Sequence, residues 1–335
     1  MQLEDIKNTY QILAQTIEIL QKEFKLSYFD ALIETLSNLL ENEINGSKEL
    51  NKQSLQKLQK LYGKLNFLDF SSEEIRQVIQ LLILASYKKE IVQPNHQMTP
   101  DSIGYLLTFL IEKIVSQNKR HSLLDITVGT GNLLSVVLNN LKTNGIKNIK
   151  VYGVDNDGTL LAIADVSSAL QHNEIDFYHQ DAMSDFMFPP VDIVIGDLPV
   201  GYYPLDKRVK NFQTHASGGH SYAHYVLIEK ALNHLNSCGW GFFIVPSQIF
   251  ETKKAQVLLK TIQKVGYLQG LLNLPYELFN SPKAQKAIML VQKQGPQAYQ
   301  VPQVLLGDFP SLKDKKEFNH FLDEINLWVN ENLNK

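Results

Sequence analysis

The sequence has one cysteine, Cys238, in 335 residues. No disulfide can form within the chain, which fits a reducing compartment. There is no run of about 18 apolar residues, the length a membrane-crossing helix needs, although 44% of the residues are hydrophobic. The opening Met1-Gln2-Leu3-Glu4-Asp5 lacks the basic and apolar regions of a signal peptide. A cytoplasmic protein without a membrane partner is expected. Basic excess is missing too: 32 Lys and Arg stand against 35 Asp and Glu, for a net charge of -3. That excludes nucleic-acid binding over a broad basic surface. It leaves room for a local groove, and Lys207, Arg208 and Lys210 form the clearest cluster. His215, His220 and His224 lie close in sequence, but they match no zinc spacing with thiolates. No metal is expected, and Lys207 to His224 reads as a flexible loop beside an active site.

What is present divides by texture. Up to about residue 94 the apolar residues recur at helical spacing, as in Ile12, Leu13, Ile17, Ile19 and Leu20. Further helices are predicted over Tyr28–Leu40, around Leu55–Leu65 and from Ser71, whose Glu74 three residues on suggests a capping box. From His121 short apolar runs alternate with helical segments. Strands are predicted at Ser122–Asp125, Val151–Val154, Asp176–His179, Ile193–Gly196, Gly239–Val245, Leu268–Asn273 and Ala287–Gln292. The pattern predicts a parallel, Rossmann-like α/β sheet of seven strands over residues 95–308, behind an all-helical N-terminal domain over residues 1–94. No long helix separates the last two runs, so they are expected to pair antiparallel at one end. Residues 309–335 read as a C-terminal helix with a frayed tail.

The strongest local feature is Leu123-Leu124-Asp125-Ile126-Thr127-Val128-Gly129-Thr130-Gly131-Asn132-Leu133. A strand ends at Asp125, and two glycines allow a tight turn before a helix. A dinucleotide fingerprint needs a third glycine where Leu134 stands. An acid at the strand end also sits badly with a pyrophosphate, whereas it suits the ammonium group of S-adenosylmethionine. The next two strands end in acids as well. Asp155, followed by Asn156, is set to accept from ribose hydroxyls, with Asp157 as the adjacent alternative unless it caps the following helix. Asp181 is set to accept from an adenine amino group, with Ala182 supplying a backbone amide. Asp125, Thr127, Gly129, Thr130, Gly131, Asn132, Asp155, Asn156, Asp181 and Ala182 are therefore candidate cofactor-binding residues of a class I S-adenosylmethionine-dependent methyltransferase fold.

The fourth strand breaks into Asp197-Leu198-Pro199-Val200-Gly201-Tyr202-Tyr203-Pro204. Around it the chain resembles the gamma-class N6-adenine DNA methyltransferases, especially the modification subunits of type I restriction systems. The resemblance runs from about Asn95 to Gly295. It rests on Thr99-Pro100 before a helix, the glycine loop, the acids in order, Gly239-Trp240-Gly241-Phe242-Phe243-Ile244-Val245-Pro246, and Leu274-Pro275-Tyr276-Glu277-Leu278-Phe279 before Ala287-Ile288-Met289-Leu290. It implies that Thr99 and Pro100 join the cofactor site, and that Asp197, Leu198 and Pro199 form the catalytic turn. The family motif there is N-P-P-Y or N-P-P-F, and related amino-methyltransferases use D-P-P-Y. Its polar side chain and the next carbonyl accept the hydrogens of an exocyclic amino group, and its aromatic residue stacks on a flipped base. Val200 offers no such ring. Tyr202 and Tyr203 are the candidates to replace it, with core packing the expectation for at least one.

Three readings follow. The first is methylation of an exocyclic amino group, with adenine in DNA as the favoured acceptor. The second is the same fold acting on RNA or protein. The third is a non-catalytic module that binds DNA or a partner. Little sequence after Gly295 is left for target recognition, so that task is expected to fall to a protein partner or to the helical N-terminus.

Overall fold

The computed structural model describes residues 3–65, 69–87, 97–115, 119–252 and 254–333. The expected boundary at residues 94 and 95 lies outside the described residues. Four helices open the chain: α1 (Leu3–Phe24), α2 (Tyr28–Glu41), α3 (Lys52–Tyr62) and α4 (Ser72–Ser86). The capping box is present, with the Ser71 side chain on the Glu74 amide and the Glu74 side chain on the Ser71 amide. Their apolar stripes close one core around Leu13, Ile17, Leu32, Leu36, Ile79 and Leu82.

Helix α5 (Asp101–Ile114) leads into the sheet. Then follow β1 (His121–Asp125), α6 (Asn132–Thr143), β2 (Ile149–Asp155), α7 (Gly158–Leu170), β3 (Ile175–His179) and β4 (Val191–Asp197). After these come α8 (Ala223–His234), β5 (Leu235–Pro246), α9 (Ala255–Val265), β6 (Gly266–Asn273) and β7 (Lys286–Lys293). The chain finishes with β8 (Leu305–Asp308) and α10 (Lys315–Asn332). The strand order is β3-β2-β1-β4-β5-β7-β6-β8. Strands β1 to β5 are parallel to one another, and β7 runs antiparallel between β5 and β6.

All seven predicted strands are present, but the sheet has eight. The extra strand, β8, pairs parallel with β6 at the edge. Only four residues long, it shows too little alternation to read from sequence. It also makes β8, not the β6–β7 pair, the end of the sheet.

Alternate side chains of the central strands enter cores on opposite faces, as the period of two demands. Leu123, Ile193, Ile195, Phe242 and Ile244 face α5, α6 and α10. Leu124, Val194, Phe243 and Val245 face α8 and α9. Helix α10 contributes Ile325, Trp328 and Val329 to the first core. Strand order reverses between β1 and β4. In doubly wound sheets such a switch point opens a crevice at the carboxyl ends of the strands.

Candidate active site

The glycine loop begins where β1 ends. Gly129 at φ +51° and Gly131 at φ +77° take left-handed backbone that carries the chain into α6. A Cβ on Gly131 would lie 3.0 Å from that of Ala164, whereas one on Gly129 would meet nothing within 4 Å. One glycine is thus required by packing, and the other leaves an open cradle. Neighbouring acids fix the loop. The Thr127 amide donates to Asp125 Oδ1 at 3.1 Å, and the Gly129 amide to Asp155 Oδ2 at 2.7 Å.

Asp125, Asp155 and Asp197 end three strands that are neighbours in the sheet, and Asp181 follows β3 by two residues. Asp125 is 1% exposed. Burial pushes its carboxyl up to about 8, and the charges of Asp155 and Asp197 add to the rise. Its Oδ2 has no hydrogen-bond partner among the described residues. Asp155 also accepts from the Asp157 amide through Oδ1, while Asn156 offers its carbonyl to His179.

Asp181 is already engaged. Its Oδ2 accepts from the Tyr203 hydroxyl at 2.5 Å and from Arg208 Nη1 at 2.9 Å, and its Oδ1 accepts from the Met183 amide. Ala182 is half-buried beside it. The two tyrosines therefore part ways. Tyr203 is 9% exposed, and burial and Asp181 raise its hydroxyl pKa. Tyr202 is 59% exposed and stacks on Tyr222 with ring centroids 5.1 Å apart.

Asp197 closes β4 and opens the turn. Lys286 Nζ lies 2.5 Å from its Oδ1, and Thr99 Oγ1 donates to its Oδ2 at 2.8 Å. Thr127 Oγ1 donates to its backbone carbonyl. Leu198 is buried, and its amide donates to the Ile244 carbonyl. Pro199 follows. His224 is buried, which holds its imidazole down at about 4. Val200 is 47% exposed.

A second layer ties Thr99 and the loop to the helical region. The Asn132 side-chain amide donates to the Thr99 carbonyl and accepts from Arg76 Nη1 at 2.8 Å. Arg76, 2% exposed, also pairs with Glu73 at 2.6 Å and Asp101 at 2.7 Å. Asn132 thus braces the loop, and Pro100 caps the first turn of α5. The half-buried Thr130 completes the loop. Sequence reasoning shows neither the Lys286–Asp197 pair nor the reach of Arg76 to Asp101 and Asn132, because these partners are separated by many residues of chain. The loop after Tyr203 is held by Glu229, which accepts from the Gln213 and Thr214 amides and the Thr214 hydroxyl. Among the described residues no group of His, Cys, Asp and Glu could hold a metal ion.

Residues 83–328 match the profile of the N-6 DNA methylase family. The chain belongs to this family. Residues 7–86 match a second family, the YtxK N-terminal helical domain. The uncharacterized protein YtxK of Bacillus subtilis is 36% identical over 98% of both chains. A Listeria monocytogenes crystal structure, provisionally assigned as a class I S-adenosylmethionine-dependent methyltransferase, is 38% identical. It covers 98% of this chain and 99% of its own, with a TM-score of 0.91. The methyltransferase subunit of a type I restriction-modification system from Streptococcus thermophilus shares the fold at 13% identity and a TM-score of 0.64, over 94% of this chain and 73% of its own.

Family and fold make S-adenosylmethionine the cofactor. The local chemistry fits a cationic ligand. A buried carboxylate oxygen without a partner among the described residues lies among further acids, and the space beside Gly129 is open. A positive group there would relieve both the orphaned oxygen and the mutual repulsion of the acids.

Proposed function

We propose that this methyltransferase transfers a methyl group to an exocyclic amino nitrogen, with adenine in DNA as the favoured acceptor. The observation that carries the reading is the Asp197-Leu198-Pro199 turn, held at the switch point beside Asp125 and Asp155. Bound S-adenosylmethionine supplies an electrophilic methyl group on a sulfonium. Asp155 would accept from ribose hydroxyls, and Asp125 would balance the ligand's positive charge. The loop Thr127 to Asn132, with Thr99 and Pro100 behind it, would shape the cradle. Asp181 and Ala182 would hold the adenine, with Tyr203 and Arg208 setting the carboxylate.

At the acceptor, Asp197 and the Leu198 carbonyl accept the amino hydrogens. This restores lone-pair density that the ring otherwise withdraws. With the donor bound, the nitrogen lone pair would form the new N–C bond as the methyl group leaves the sulfonium. The surplus N–H proton passes to the Asp197 carboxylate and on to solvent. Tyr202, exposed and backed by Tyr222, is the stacking surface in place of the missing motif aromatic. Lys207 and Lys210, exposed in the loop that follows, are available to a phosphate backbone. In this division of labour residues 1–94 brace the site, 95–308 carry the chemistry and 309–335 seal the sheet. Target recognition falls to a protein partner, and the site of action is the cytoplasm.

Val200 favours a second reading, in which the acceptor is RNA or protein. Transfer of labelled methyl to duplex DNA, single-stranded DNA, RNA and cell-extract protein separates the two. Label on adenine is expected. Asp197→Ala should abolish transfer while S-adenosylmethionine still binds. Label that never leaves the bound cofactor would instead make the chain a non-catalytic binding module.

A further inference from the structure

Asp197 differs from the family's asparagine in charge as well as in shape. An asparagine offers one acceptor oxygen and no net charge, whereas a carboxylate offers two acceptors and a negative charge. In this chain the extra charge has a partner outside the motif. Lys286 opens β7, on the far side of β5 from Asp197. Across that strand its ammonium meets Oδ1 at 2.5 Å, with 25% of the Lys286 side chain and 18% of the Asp197 side chain exposed. Thr99 holds Oδ2. Each carboxylate oxygen keeps a lone pair for an incoming amino hydrogen. The carboxylate and ammonium together carry no net charge.

We propose that Lys286 is a positioning residue that turns Asp197 into a charge-neutral acceptor, the counterpart of the family's asparagine. The inference rests on the methyltransferase reading above. Its physical reason is electrostatic. Asp197 shares an electrostatic field with Asp125, the acid assigned to the cationic ligand, so an uncompensated carboxylate there would add to the attraction for a sulfonium. Lys286 cancels that charge and leaves the hydrogen-bond acceptor in place.

The consequence can be read without an acceptor substrate. S-adenosylmethionine carries the sulfonium charge, and S-adenosylhomocysteine does not. Calorimetry on the full-length chain should give Lys286→Met a preference for the charged ligand raised by about fivefold, the scale of one lost charge at partial burial. Lys286→Arg should keep the unaltered ratio. Asp197→Asn, which leaves the cation alone, should lower the ratio by a similar factor. The double variant Asp197→Asn/Lys286→Met should return towards the unaltered value. An unchanged ratio in folded Lys286→Met would overturn the assignment of Lys286 alone. If Lys286→Met does not fold, an unchanged ratio in Asp197→Asn would overturn it equally. Failure of the unaltered chain to bind either ligand would overturn the methyltransferase reading and this inference with it.

Discussion

Asp125 and His224 carry opposite pH signatures. The Asp125 carboxyl is raised from 3.8 to about 8 in the folded chain. Between those values the folded state holds a proton that the unfolded state has released. Stability from this group is full below pH 3.8 and is lost as pH rises towards 8. The imidazole of His224 is lowered from 6.5 to about 4. Its contribution is full above pH 6.5 and is lost as pH falls towards 4. The two oppose each other in the lower window, and above pH 6.5 the Asp125 slope stands without that counterweight. Asp125→Asn should therefore flatten the decline in Tm between pH 6.5 and 8. Thermal melts across that range check it, and a decline of unaltered slope would exclude Asp125 as the source. By the same linkage S-adenosylmethionine should bind more tightly as pH rises to about 8, a trend absent from the variant.

At the scale of elements, α4 and the glycine loop are joined through one buried cation. Arg76 spans Glu73 on its own helix, Asp101 at the start of α5 and Asn132 at the start of α6. Replacing it strands partly buried acids, and breaking a buried pair costs about 3–5 kcal/mol. Arg76→Met should lower the denaturation midpoint accordingly. It should also weaken S-adenosylmethionine binding, because Asn132 then holds the Thr99 carbonyl without its own anchor. Calorimetry beside the denaturation curve distinguishes the effects. Unchanged affinity in a destabilised protein would mean that the brace serves stability only.

For the whole molecule, the helical region and the sheet share a core. Ile163, Val166 and Leu170 of α7 belong to the same cluster as Leu13, Leu32 and Leu82. The Ser72 hydroxyl donates to the Gln171 carbonyl, just past α7. A chain beginning at residue 87 would expose that apolar face. It is expected to aggregate or to elute as large species in size-exclusion chromatography. A monodisperse truncated chain with native circular dichroism would show that the helical region is dispensable for folding.

The sequence alone determined the kind of fold and the position of the glycine loop. Helical spacing, strand runs ending in acids and the two glycines are local signals, and each is set by its own stretch of chain. The order of the motifs carried the family resemblance through a weakened catalytic tetrapeptide. Tertiary structure decided which candidates act together. It buried Tyr203 against Asp181 and left Tyr202 exposed, although the two are adjacent in sequence. It turned Asn132 towards Arg76, added β8 as a register match to β6, and set Lys286 against Asp197. These outcomes depend on crossings of the sheet and on which carboxylates lose water. Neither is encoded in the spacing of nearby residues, so the glycine loop was legible from the chain while its electrostatic balance was not.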